Sequence, residues 1–210
     1  MMTLSSAALV MALAAGPPTP TASAASAREG APRSLDFELT MKAATPMVTG
    51  PTVGPDFAVA FGRRDLHLRL GMQVLGGPER QLTPAGHRVG EVVDAGTVHM
   101  CAAKSRRGLR IRLCGGGQLG TTHLRYRGFA DPGRRVMPWG ALTSFADLSI
   151  PLGRRAGLEP DRVGLLLRGG AMVPVLGPAV VMRSVQGPAW VRLPKAVGAT
   201  FGAGLRFALR

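Results

Sequence analysis

Apolar and polar residues alternate one by one along much of this chain, and that period of two restricts its fold more than any other feature. Leu35, Phe37, Leu39 and Met41 interleave with Asp36, Glu38, Thr40 and Lys42. Leu66, Leu68, Leu70, Met72 and Val74 interleave with His67, Arg69, Gly71 and Gln73. Leu109, Ile111 and Leu113 interleave with Arg110 and Arg112. Phe57, Val59 and Phe61, and then Phe201 to Leu209, follow the same rule. Side chains on a strand point alternately to its two faces, so each segment reads as a strand with one apolar and one polar side. Weaker alternation near 90–103, 138–150 and 163–175 completes a set of eight strands. A sequence with 29 glycines and 17 prolines in 210 residues is not that of a helical bundle, and its 46% hydrophobic content is too high for a disordered chain.

The connections alternate as well. Ala44 to Pro55, Gly76 to Val89, Thr122 to Met137 and Gly177 to Lys195 are long. The segments at Arg63-Arg64 and at Lys104 to Arg107 are short, and Gly153 to Asp161 is the shorter neighbour of two long ones. Arginine pairs mark this second set: Arg63-Arg64, Arg106-Arg107 and Arg154-Arg155. Tight turns at one end and extended loops at the other are the habit of transmembrane barrels, whose strands need about 9–11 residues to cross.

Residues 1–27 carry no charged side chain, and Leu4 to Ala15 has the length of a secretory apolar segment. Ala22-Ser23-Ala24 and Ala25-Ser26-Ala27 both fit the small-residue cleavage rule. The expected organisation is a signal peptide over 1–27 and a barrel domain over 28–210. Beyond residue 27 no apolar run reaches the roughly 18 residues of a spanning helix. Cys101 and Cys114 have no metal-ligand spacing, and in an oxidising compartment they read as a disulfide.

Register gives specific pairs. If 101 faces 114 across a hairpin, Ala102 faces Leu113 and both strands keep their apolar residues on one side. The same arithmetic sets Asp147 opposite Arg168, with Leu148 opposite Leu167. Closing the last strand onto the first brings Arg206 near Asp36 or Glu38. Arg69, Arg110 and Arg112 then point inward as basic lumen residues.

The last strand, Val197-Gly198-Ala199-Thr200-Phe201-Gly202-Ala203-Gly204-Leu205-Arg206-Phe207-Ala208-Leu209, is similar to the C-terminal insertion signal of small eight-stranded outer-membrane β-barrel proteins of Gram-negative bacteria. With the strand pattern, the resemblance covers about residues 35–210. It implies an all-β, antiparallel up-and-down barrel in the outer membrane, with lipid and lipopolysaccharide around it and the barrel-assembly machinery as its partner during insertion. Members usually end on an aromatic residue; here Ala208-Leu209-Arg210 follow Phe207. Aromatic residues are also few, with one Tyr, two Trp and seven Phe.

Other constellations carry less. Gly115 to Gly120 spells G-x-G-x-x-G, but no helical pattern follows to hold a pyrophosphate. His67, His87, His99 and His123 have no metal-pair spacing, so neither a metal nor a cofactor is expected. His99 reads as a hydrogen-bonded lumen residue; Asp147, His99 and a serine make a triad only on paper. Basic residues exceed acidic ones by 14, and all but three of the 26 are arginine. They are dispersed, and stacking aromatics are scarce, which argues against nucleic acid. Loop arginines (Arg80, Arg88, Arg125, Arg127, Arg134, Arg135, Arg183, Arg192) suit lipopolysaccharide phosphates through their planar forks. The expected function is a non-enzymatic structural or surface component of the outer membrane. The alternatives are a soluble barrel holding an apolar ligand and a lipid-modifying barrel enzyme.

Overall fold

A computed structural model describes residues 34–45, 50–63, 65–81, 86–106, 109–128, 133–152, 162–177, 180–184, 187–192 and 197–209. The expected signal peptide lies outside them. The strands are β1 (Ser34–Ala44), β2 (Thr52–Arg63), β3 (Leu66–Gly76), β4 (Arg80–Gln81), β5 (Arg88–Arg106), β6 (Leu109–Arg127), β7 (Gly133–Pro151), β8 (Val163–Leu176), β9 (Val180–Ser184), β10 (Gly187–Arg192) and β11 (Gly198–Leu209). Eight of them, β1, β2, β3, β5, β6, β7, β8 and β11, pair antiparallel in order, and β11 closes onto β1. The result is an all-β, up-and-down barrel with no free edge along its wall. β4 adds a two-residue pairing beside β5, and β9 with β10 makes a separate hairpin between β8 and β11.

The period of two sets the faces. Asp36 and Glu38 are 0% and 3% exposed, whereas their neighbours Phe37 and Leu39 are 42% and 43% exposed. Leu66, Ile111 and Leu205 likewise face outward, so the apolar rows form the outer wall. A soluble barrel with an apolar interior needs the opposite arrangement. On β6 the outward apolar stretch runs from Leu109 to Leu119, after which Thr121, His123 and Arg125 follow on the same face. Ten rises of about 3.4 Å at a tilt near 40° give a band about 26 Å tall, the height of a hydrocarbon core.

Proline is placed where the ladder does not need its donor. Pro55 falls in the stretch of β2 that lacks a partner on β3, between the pairs Val53 with Gly76 and Asp56 with Gln73. Pro174 lies beside the register shift at Gly140 and Ala141. Inward glycines supply close approach: a Cβ on Gly116 would stand 2.0 Å from the Val98 carbonyl oxygen. That is why Gly115 to Gly120 sits within a strand and not at the mouth of a helix.

Three expectations about the connections change. β2 already begins at Thr52, β6 runs on to Arg127, and β7 starts at Gly133, so the supposed loop from Thr122 to Met137 shrinks to residues 128–132. The 152–162 connection is longer than that, and loop length does not alternate strictly. β5, β6 and β7 are 19 residues each, longer than crossing requires, and stand above the apolar band as a three-stranded ribbon. Above the band the polarity inverts, with Val89, Val93, Leu124 and Trp139 buried and Arg88, Arg125, Arg127 and Arg134 exposed, so the alternation changes phase along these strands.

Candidate functional site: a charged lumen and two basic rims

The polar face of each strand meets its counterparts across a narrow interior, so the lumen is filled by side chains. At its centre, carboxylates from β1, β2 and β7 meet guanidinium groups from β3, β6 and β8. Arg168 Nε donates to Asp147 Oδ1 at 2.7 Å, and its terminal nitrogens reach Asp56 Oδ2 at 2.7 Å and Glu38 Oε2 at 3.0 Å. Arg69 donates to Glu38 Oε2 and Asp56 Oδ2, both at 2.8 Å. Arg112 reaches Asp147 Oδ2 at 2.8 Å and also contacts Glu38. The Arg168 guanidinium also lies over the Phe145 ring, 4.2 Å from its centroid. All six charged side chains are buried. Each buried charge has partners of opposite sign, the condition on which it survives away from water.

Polar and apolar layers flank this cluster. Lys42 Nζ donates to Gln73 Oε1 at 2.7 Å, and Gln73 Nε2 donates to Gln118 Oε1 at 2.6 Å. Nearer the loops, Ala44, Leu75, Val93, Trp139 and Met172 form a dry cap. At the turn end, Arg110 donates to Asp36 Oδ2 at 2.9 Å and to His67 Nε2 at 2.7 Å.

The sequence candidates fall into place around this cluster. Cys101 and Cys114 are directly opposed and joined in a disulfide beside Phe145. Asp147 and Arg168 are cross-strand partners in the β7–β8 register. Glu38 is opposite Arg206 in the β1–β11 register, but the Arg206 guanidinium reaches Asp36 Oδ2 at 3.8 Å, while Glu38 gathers Arg69, Arg112 and Arg168. His99 bonds Thr143 Oγ1 at 2.6 Å and meets the edge of Phe145, and both oxygens of Asp147 are held by arginines. No paper triad assembles there. Among the described residues no group of three or more His, Cys, Asp or Glu is arranged to hold a metal.

Sequence reasoning missed Asp56 and the apolar cap. Asp56 has the inward parity of Ala58 and Ala60, one residue before Phe57, and that parity was the available signal. For the cap, the signal was the pairs Val74-Leu75 and Val92-Val93, which are apolar on both faces.

Cations mark both edges of the apolar band. On the ribbon, Arg88 is directly opposite Arg127, and Arg125 directly opposite Arg134; all four are exposed and share the outward face. Nearby, His123 Nε2 meets Asp94 Oδ2 at 2.9 Å, and Arg134 donates to His123 Nδ1 at 2.7 Å. Burial raises the Tyr126 hydroxyl pKa; Arg135 opposes that shift and Glu91 adds to it. At the turn end, Arg63, Lys104 and Arg106 are exposed at the close of their strands. The side chains of Arg64, Arg107, Arg154, Arg155, Arg183 and Arg192 lie outside the described residues.

No family model and no curated protein sequence matches the chain. Solved structures do. A major outer membrane protein from Thermus thermophilus superposes with a TM-score of 0.58 at 9% identity, covering 84% of this chain and 99% of that one. Neisserial surface protein A gives 0.46 at 12% identity, over 85% and 99% of the two chains. The N-terminal β-barrel domain of Pseudomonas aeruginosa OprF gives 0.44 at 10% identity, over 84% and 97%. The Thermus likeness, at this identity, identifies the fold as that of an outer-membrane β-barrel.

Proposed function

We propose that this chain is a non-enzymatic barrel of the Gram-negative outer membrane, a structural or surface component, exported by its leader and inserted by the barrel-assembly machinery. The observation that carries the reading is inverted polarity: leucine, phenylalanine and valine line the outside while Asp36, Glu38, Asp56 and Asp147 are buried inside with their arginines. Water on the outer wall would leave that apolar band exposed at a cost of about 25 cal/mol per Å², whereas lipid tails remove the cost. The filled lumen speaks against a conducting pore. The decisive measurement is fractionation of cells expressing the whole chain. Detergent-dependent extraction and a gel mobility that changes on boiling are the expected result; recovery in the soluble fraction refutes membrane insertion.

The loop-end rim fits lipopolysaccharide phosphates. Like charges directly opposite each other destabilise a strand pair, and an anion between Arg88 and Arg127, or between Arg125 and Arg134, reverses that sign. Guanidinium groups take phosphate through two parallel hydrogen bonds. Near a charged lipid surface each such cation contributes about 1 kcal/mol. Replacing Arg88, Arg125, Arg127 and Arg134 together by glutamine is expected to weaken binding of the detergent-folded barrel to lipopolysaccharide at least about tenfold, and to flatten its salt dependence. Unchanged affinity assigns these arginines to ordinary solvation.

A further inference from the structure

Three ionisable side chains run diagonally across the outward face of the ribbon, one from each strand: Asp94 on β5, His123 on β6 and Arg134 on β7. The ladder partners of His123 are the uncharged Val92 and Val136, so Asp94 and Arg134 are its diagonal neighbours, within reach of long side chains. His123 Nε2 lies 2.9 Å from Asp94 Oδ2 and 3.2 Å from Thr121 Oγ1, and Nδ1 lies 2.7 Å from a terminal nitrogen of Arg134. Along β6 the next outward residue is Arg125, directly opposite Arg134. The charged groups around the ring are therefore Asp94, Arg134 and Arg125. His123 stands two outward positions beyond Leu119, where the apolar stretch of β6 ends, and so at the level of lipid headgroups.

This geometry fixes the protonation of the ring. A guanidinium has donors and no acceptor, so Nδ1 receives the Arg134 hydrogen bond only as a bare nitrogen. The ring is then neutral, and its proton sits on Nε2, donated to Asp94. A proton taken from solvent at Nδ1 sets two N–H groups and two positive charges against each other at hydrogen-bond distance. Arg134 must leave. His123 stays, because as a cation it bonds the Asp94 carboxylate more strongly than before. Histidine is the side chain that ordinarily changes charge between about pH 5 and 8, a range in which ordinary carboxylates stay ionised.

We propose that Asp94, His123 and Arg134 form a proton-operated latch: neutral His123 holds Arg134, and protonation at Nδ1 releases it beside Arg125 to take a lipopolysaccharide phosphate. The partner in this step rests on the phosphate reading of the rim given above, whereas the latch itself rests on the three side chains alone. Acid thus strengthens the rim twice, by adding one cation and by freeing another.

The test uses the full chain folded in a maltoside detergent, which contributes no phosphate. Binding to lipopolysaccharide is measured at about pH 7.5 and about pH 5.5, on either side of ordinary histidine titration. The parent is expected to bind at least about fivefold more tightly at the lower pH. Phosphate monoesters lose charge as pH falls, so the ligand's own titration works against this gain. His123→Gln, which keeps an acceptor for Arg134 but takes up no proton, is expected to abolish the gain. His87→Gln, at the other histidine of this end, is expected to leave it intact. Arg134→Gln retains the proton site and is expected to lose most of the gain; a gain that survives it shows mere charge addition and overturns the latch. No gain in the parent, or a gain that persists in His123→Gln, overturns it as well. A second readout needs no lipopolysaccharide. Nitrogen NMR of the His123 ring at about pH 7.5 is expected to show Nδ1 unprotonated, with a signal that moves in Arg134→Gln. A proton on Nδ1, or a signal that does not move, overturns the latch. If the ring behaves as expected while the four-arginine variant binds lipopolysaccharide as the parent does, it is the phosphate partner that is overturned.

Discussion

Arg168→Met is expected to cost the barrel about 3–5 kcal/mol, the range for breaking a buried ion pair from one side. Arg168 touches Asp147, Asp56 and Glu38, and all three lie inside the lumen with almost no access to water. Methionine keeps the aliphatic stem and its packing on Phe145 but removes every donor. Two carboxylates would retain Arg69 and two would retain Arg112, yet the cluster would pass from balanced to net negative. Urea unfolding of the folded barrel in detergent, read by gel mobility, measures the loss. Adding Asp147→Leu is expected to restore part of it, because Asp147 is then no longer a buried charge short of a partner. A loss below about 1 kcal/mol in the single variant would mean that water reaches the cluster. The lumen would then be a wet channel and not a filled core.

The same residues show how far the chain could be read before its fold was known. Period two assigns each side chain to a face, and hairpin arithmetic assigns its neighbour across the ladder. Those two rules are local, and they placed Cys101 against Cys114 and Asp147 against Arg168. Contacts across the lumen obey neither rule. They depend on barrel radius and on how far an arginine can stretch, so Glu38 is held from β3, β6 and β8 although its ladder partner on β11 is Arg206. Asp56 was hidden by Pro55, which reads as loop but sits within β2, opposite Met41 of β1 and without a partner on β3. The ribbon of β5, β6 and β7 was hidden for a different reason. Outside the membrane band its apolar residues, Val89, Val93, Leu124 and Trp139, move to the inward face, so the alternation that marks the crossing strands changes phase there.

Gly116→Ala and Gly115→Ala are expected to differ sharply although the residues are adjacent. Gly116 points inward, where a Cβ would lie 2.0 Å from the Val98 carbonyl oxygen and 2.7 Å from the His99 Cα. These are backbone atoms of a paired strand and cannot swing aside as a side chain can. Relieving the overlap requires β5 and β6 to separate beside the disulfide that ties them. Overpacking of this kind costs about 1–3 kcal/mol even where side chains can yield, so a cost of about 3 kcal/mol or failure to assemble is expected here. Gly115 points outward, and a Cβ there meets nothing within 4 Å. Alanine at 115 also loses less backbone freedom on folding than glycine, so a change within about 0.5 kcal/mol, or a slight gain, is expected. The fraction of chain that reaches the heat-modifiable form on refolding into detergent compares the two directly. Equal losses would mean that glycine is needed here for reasons of strand conformation. Loss at 116 alone makes close strand approach the reason, and with it the tight barrel radius that lets arginines from opposite walls reach one carboxylate.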